Sequence, residues 1–207
     1  MSYGQGDKLP LILDAAYELF GSNGFYETKM SDIANQAGIA KGTLYLYFTS
    51  KEQLFAAMTK RDFDQFIGDI EYGVSRQHTL EQQLRFIADY HLRYYFERRK
   101  YTNLFFKAPN NDPDMMTALK DFMDRYMKML ADIIEAYGIP EGKLHAKSFV
   151  GILDMIKMDI LFTPDFTEQD LEQRVDFSAN IFLKGCTAEG HPYVPDPKVY
   201  TNTPLKK

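Results

Sequence analysis

The chain has 207 residues, a net charge of −5 and an ordinary balance of 45% hydrophobic to 26% charged residues. That composition excludes a disordered or fibrous chain and permits one large or two small domains around a sizeable core. The single cysteine, Cys186, excludes an intrachain disulfide and a cysteine-based metal cluster. The opening residues MSYGQGDK carry no apolar signal core, and no run reaches the roughly 18 apolar residues that a membrane span requires. A cytoplasmic, reducing location with no membrane association is therefore expected.

The spacing predicts a first helix from about Asp7 to Pro10 through Ser22, with Ile12, Ala15, Ala16, Leu19 and Phe20 as its buried stripe. Asn23 and Gly24 end it, and Phe25 and Tyr26 are expected to pack in the core against the next two helices. Thr28 reads as the cap of a second short helix that buries Ile33, Ala34 and Ala37 and stops at Gly38, the residue best able to turn left-handed. Ile39 then fills the corner. A third helix begins near Ala40 or Lys41, because Ala40, Leu44 and Phe48 recur every four residues and share one inward face. Gly42, Thr43, Tyr45 and Leu46 are left pointing outward, with Lys41 and Tyr47 at the edges.

A soluble helix seldom offers water two tyrosines, a threonine and a leucine around a glycine unless something docks there. Helix, tight turn and a second helix with a polar and aromatic outer face is the helix-turn-helix pattern of major-groove readers. The alternative on spacing alone is a helical corner that only packs. The negative net charge argues mildly against nucleic acid. The local count points the other way: from Lys29 to Arg61 there are five basic residues against two acidic ones.

Ser50 and Gln53 form a capping box that starts a fourth helix reaching about Tyr72. Lys51 lies in its first turn, against the positive end of the helix dipole, a conflict that an external phosphate would resolve. Thr79 and Gln82 open a fifth helix to about Lys100, whose closing ERRK reads as a solvated last turn. A short sixth helix, YTNLFFK, comes next. Asp112 caps a seventh with Pro113 at its first position, running to about Tyr137. An eighth covers roughly Gly142 to Phe162, with Asp154 and Lys157 spaced to pair, and Thr167 with Asp170 caps a ninth to about Thr187. The tail over 191–207 is rich in proline and expected to be irregular. No strand and no internal repeat is apparent.

No nucleophile elbow, phosphate loop, HExxH or dinucleotide fingerprint occurs, and His78, His91, His145 and His191 are scattered. Neither a catalytic residue, a metal site nor a cofactor is expected. His91 reads as a satisfied histidine on a helix surface. Sixteen Phe, 14 Tyr and 10 Met without a Trp suggest an adaptable interior with room for a ligand, since Met deforms and each Tyr hydroxyl seeks a partner.

Over Leu11–Met58 the stretches ILDAAYELF, GFYETKMSDIANQAGIAKGTLYLYF and SKEQLFAAM strongly resemble the DNA-binding domain of the TetR family of transcriptional repressors, across about a quarter of the chain. The resemblance implies an all-α chain of about nine helices. Residues 1–50 would form the helix-turn-helix domain, 51–190 a helical effector-binding and dimerisation domain, and 191–207 a tail. It further implies a homodimer through the last two long helices, bound to a palindromic double-stranded operator and released by a small, largely apolar effector.

Carried over by position, Thr28, Lys29 and Ser31 would meet phosphates or flanking bases. Lys41, Gly42, Thr43 and Tyr47 would approach base edges, while Tyr45 and Lys51 would hold the phosphate backbone. The effector pocket would be lined from among Phe86, Tyr90, Tyr94, Phe105, Met123, Tyr126 and Met155. The rival reading is a helical enzyme or carrier for an apolar molecule, with a merely structural amino-terminal unit.

Overall fold

A computed structural model describes residues 7–99, 102 and 112–186. Among them lie eight helices and no strand: α1 (Leu9–Asn23), α2 (Met30–Gln36), α3 (Lys41–Tyr47), α4 (Lys51–Val74), α5 (Leu80–Glu97), α6 (Pro113–Ala136), α7 (Gly142–Phe162) and α8 (Glu168–Cys186). Apart from Thr102, the expected short helix over YTNLFFK lies outside the described residues, as does the 191–207 tail.

The helix starts follow local hydrogen-bonding chemistry. The Gln53 amide donates to Ser50 Oγ at 3.0 Å, and the Gln82 amide to Thr79 Oγ1 at 3.2 Å. Asp112 Oδ1 accepts from the amides of Asp114 and Met115 at the head of α6. Thr167 and Asp170 satisfy each other reciprocally before α8, the Asp170 amide reaching Thr167 Oγ1 and the Thr167 amide reaching the Asp170 carboxylate. Each bond occupies a donor that the first helical turn would otherwise leave orphaned. Gly38 takes φ +66°, and the Ile39 amide returns to Ala34 O at 3.0 Å, closing α2 as a left-handed glycine terminator does.

Two apolar cores share α4. The amino-terminal head is packed around Ile12, Phe20, Ile33, Leu44 and Leu54, with Met115 of α6 reaching up into it. The body is packed around Phe66, Ile70, Leu84, Tyr126, Leu130 and Phe149. The first turns of α4 therefore belong to the head and its later turns to the body, which makes this helix a continuous rod between them. Arg61 on α4 also pairs with Asp14 on α1 at 2.7 Å. Within the body, α6 lies on both α4 and α7, and α5 lies on α7 and α8.

Candidate nucleic-acid interface and internal cavity

Leu44 and Phe48 are buried beneath α3 and fix which of its faces looks outward. Leu46 is 86% exposed, and Lys41, Gly42, Tyr45 and Tyr47 are exposed beside it, with Thr43 half-buried. Ala40, expected to face inward, is exposed, because it is the extended residue that precedes the first turn of α3 and so lies off the inward face of the helix. Lys41 Nζ stands 5.8 Å from the centre of the Tyr45 ring. A Cβ added at Gly42 would meet nothing within 4 Å, so the glycine leaves open space on the outer face. Lys29 is exposed at the start of α2, and Ser31 Oγ donates to Asp32 Oδ1 at 3.2 Å.

Two residues expected on this surface are turned inward. Thr28 does not cap α2. Its side chain is buried, and its hydroxyl lies 2.7 Å from Gly24 O and 3.1 Å from Leu19 O, tying the loop to the end of α1. The Lys51 ammonium donates to Phe25 O at 2.7 Å, Thr28 O at 3.0 Å and Tyr26 O at 3.2 Å, and stands 4.5 Å from the centre of the Phe25 ring. An ammonium has three donors, and all three are committed. The conflict between Lys51 and the dipole of α4 is thus answered by carbonyls of the α1–α2 loop rather than by an external phosphate. Phe25 packs in the core as expected, but Tyr26 is exposed, with only its edge set against the Phe25 ring.

The residues expected to line an effector pocket divide. Phe66 is surrounded by Tyr90, His91, Tyr94, Phe122 and Tyr126, with ring centres 5.0 to 5.8 Å apart, a filled aromatic core. Tyr90 and Tyr94 donate their hydroxyls to Asp69 and Asp62 of α4. Burial, together with the neighbouring carboxylate, pushes both phenols above their usual range. The Phe86 ring lies over Gly73, so close that a Cβ there would fall 1.9 Å from the ring carbon. Met123 is half-buried. Met155 is 71% exposed on α7 and lines no interior, because the turn that buries Leu153 sends it outward. Phe105 lies outside the described residues.

A hollow of about 110 Å³ opens instead between head and body. Tyr17 and Phe20 of α1, Thr59 and Asp62 of α4, and Tyr94 and Arg98 of α5 are among its walls. Among the described residues expected around an effector, only Tyr94 reaches it. Thr59 is the residue with a signal in the sequence: it is a hydroxyl at an apolar position of α4, four residues from both Phe55 and Phe63. Arg98 is not a solvated end-of-helix charge, since its guanidinium packs 4.3 Å from the centre of the Tyr94 ring. Arg99 likewise donates to Phe166 O at 3.0 Å.

His91, expected on a helix surface, is buried at 3% exposure. Its Nδ1 is 3.1 Å from the Tyr126 hydroxyl, and its Nε2 lies 3.6 Å from Asp154, longer than a hydrogen bond. Burial holds the ring below its ordinary basicity. Burial raises the Asp154 carboxyl, but the Lys157 ammonium paired with it prevails and the carboxyl is drawn down to about 2. Asp154 and Lys157 do pair along α7, as their spacing predicts.

Residues 12–58 match the family model of bacterial regulatory proteins, tetR family. Over 80 residues the chain is 38% identical to the fatty acid metabolism regulator protein of Bacillus subtilis, covering 39% of this chain and 41% of that protein. Over 87 residues it is 31% identical to the HTH-type transcriptional activator FasR of Mycolicibacterium smegmatis, covering 39% and 40%. The chain thus spans about two fifths of the length of these curated relatives. Among solved structures it is similar to a TetR-family transcriptional regulator from Mesorhizobium loti, with TM-score 0.76 and 25% identity over 89% of this chain and 98% of that one. It also shares the fold of FadR from Bacillus subtilis, solved with stearoyl-CoA, at TM-score 0.69 and 24% identity over 85% and 98%.

Proposed function

We propose that this chain, whose amino-terminal domain is that of the TetR family of bacterial regulatory proteins, is a homodimeric repressor that binds a palindromic operator and releases it when a small, largely apolar effector binds. The relatives and fold neighbours are transcriptional regulators, not enzymes. The observation that carries the reading is α3 itself. Buried Leu44 and Phe48 pin the helix, so Lys41, Thr43, Tyr45, Leu46 and Tyr47 form a protruding polar and aromatic ridge that no other part of the described chain covers.

A ridge one helix wide enters a major groove, where Thr43 and Lys41 can reach base edges, Leu46 can meet a thymine methyl, and Lys29 can meet phosphate. One such helix reads only a few base pairs, so two must act together about one DNA turn apart, roughly 34 Å. The exposed apolar side chains of α7 and α8 support pairing there: Met155 and Phe162 recur two turns apart, and Phe177 and Ile181 one turn apart. On this reading residues 1–50 read DNA and 51–190 bind effector and dimerise, with the first turns of α4 packed into the head core.

The test is fluorescence anisotropy with double-stranded fragments from upstream of the chain's own gene, together with sedimentation. Saturable binding by a dimer is expected. Phe177→Asp should yield monomers that bind at least tenfold more weakly. A wild-type monomer at micromolar concentration, or indifference to every fragment at low salt, would refute the reading.

A further inference from the structure

We infer that the hollow between head and body is a binding site for a small neutral molecule of aromatic type carrying one hydrogen-bonding group, a phenol or aryl alcohol in size and polarity. This deepens the effector reading by naming where and what, and it rests on that reading only for its regulatory consequence.

Three observations carry the inference. The first is volume: about 110 Å³ is of the order of the ~150 Å³ apolar hole that accepts benzene. One ring fits.

The second is the wall. It is mostly aromatic, with Tyr17, Phe20, Phe55, Phe63, Tyr94 and Tyr95 among its residues. Such rings favour edge-on or offset contact with another ring. Asp62 and Arg98 also reach the wall, and their opposite charges cancel. The Asp62 carboxylate already accepts from the Tyr94 hydroxyl, and Arg98 is stacked on the Tyr94 ring. With one carboxylate and one guanidinium on the same wall, neither sign of charge is favoured, so the preferred ligand is uncharged.

The third is Thr59. It is 3% exposed, faces this hollow, and its Oγ1 has no hydrogen-bond partner among the described residues. A buried hydroxyl without a partner is costly, and a ligand hydroxyl or carbonyl would satisfy it.

The position gives the site a consequence. Phe20 and Phe55 line the hollow and pack edge-on against each other at 5.4 Å. Phe25, also in the wall, lies under the Lys51 ammonium that gathers the carbonyls of the α1–α2 loop. An occupant that spreads these rings shifts the seat of α2 and α3 relative to α4, which changes the separation of the two recognition helices in a dimer.

The test uses the full chain without DNA. Binding of 4-fluorophenol is monitored by fluorine NMR, in competition with phenol, benzene, benzoate, phenyltrimethylammonium and stearoyl-CoA. Saturable phenol binding is expected, about fivefold tighter than benzene, the worth of one ordinary hydrogen bond. Benzoate and the ammonium probe should bind at least tenfold more weakly than phenol. Thr59→Val keeps the shape and should erase the preference for phenol over benzene, whereas Thr59→Ser should keep it. Both variants should remain folded, since the first removes an unpaired group and the second retains the hydroxyl.

The inference is overturned by absence of neutral-probe binding to folded protein, by an unchanged phenol preference in Thr59→Val, by equal binding of either charged probe, or by stearoyl-CoA displacing fluorophenol at lower concentration than phenol. Operator binding is measured separately, so an empty hollow would leave the DNA reading standing, and a silent operator would leave the site standing.

Discussion

Lys51→Met separates a structural tether from a DNA contact. The substitution keeps the apolar stem and removes the ammonium that donates to Phe25 O, Thr28 O and Tyr26 O and faces the Phe25 ring at 4.5 Å. The Phe25 and Thr28 bonds are part-buried, while Tyr26 O lies in an exposed bond that water can replace. Two carbonyls left without their charged donor cost about 1 kcal/mol each, and the lost contact with the ring adds about 0.5–1 kcal/mol. The loss of about 2–3 kcal/mol corresponds to a fall of roughly 5–10 °C in Tm for a chain of this size unfolding as one unit. Urea titration by circular dichroism gives the magnitude, and amide hydrogen exchange places it in α1 to α3. Operator affinity is then measured from low to moderate salt. Because Lys51 neutralises no phosphate, the slope of log K against log salt should be unchanged. A variant within about 0.5 kcal/mol of the parent whose slope falls by about 0.9, the signature of one lost phosphate contact, would refute the assignment.

Lys41→Ala and Thr43→Ala should each reorder preference among operator variants, as expected of side chains at base edges; competition anisotropy across a panel of single-base changes checks this, and a uniform loss for Lys41→Ala with a salt slope lower by about 0.9 would move that lysine to a phosphate. Gly73→Ala places a Cβ within 1.9–2.7 Å of the Phe86 ring, so it should cost about 1–3 kcal/mol by overpacking, seen as a lower urea midpoint. His91 stays neutral in the fold because burial depresses its basicity. The unfolded chain gains a proton below about pH 6.5 that the folded one refuses, so stability should fall with pH by up to about 1.4 kcal/mol per unit. His91→Gln should make the fall from about pH 6.5 to 5 shallower. Asp154, held at about 2, contributes stability that is fully present above its unfolded value near about 3.9 and fades only as pH drops through that value toward 2.

The head and the helix starts of the body were legible because their signals are short-ranged. Gly38 ends α2, the capping boxes at Ser50 with Gln53, Thr79 with Gln82 and Thr167 with Asp170 start helices, and Leu44 with Phe48 orient α3. Each of these is an interaction within about one helical turn, where residue spacing and hydrogen-bonding chemistry suffice. The internal site was mostly not legible. Tyrosine and methionine content indicated an adaptable interior without saying which side chains it would leave uncovered. Tyr90 is spent on Asp69 and the Phe66 cluster, while Tyr94 and Tyr95 line an opening whose other walls come largely from α4 and from α1, a helix assigned wholly to the DNA-reading unit.

By itself, then, the sequence determined the helices of the described chain, the caps at Ser50, Thr79, Asp112 and Thr167 though not the one expected of Thr28, and the outward face of α3. The tertiary structure decided the fate of individual polar groups: that Lys51 turns to carbonyls 23 to 26 residues earlier in the chain, that His91 is buried against α6, that Met155 faces out, and that space remains between α1, α4 and α5. The physical reason is range. A backbone conformation is chosen among neighbours a turn away, but whether a side chain meets a charge, a ring or an empty volume depends on which helix crosses it, and that is fixed only when both cores close around α4.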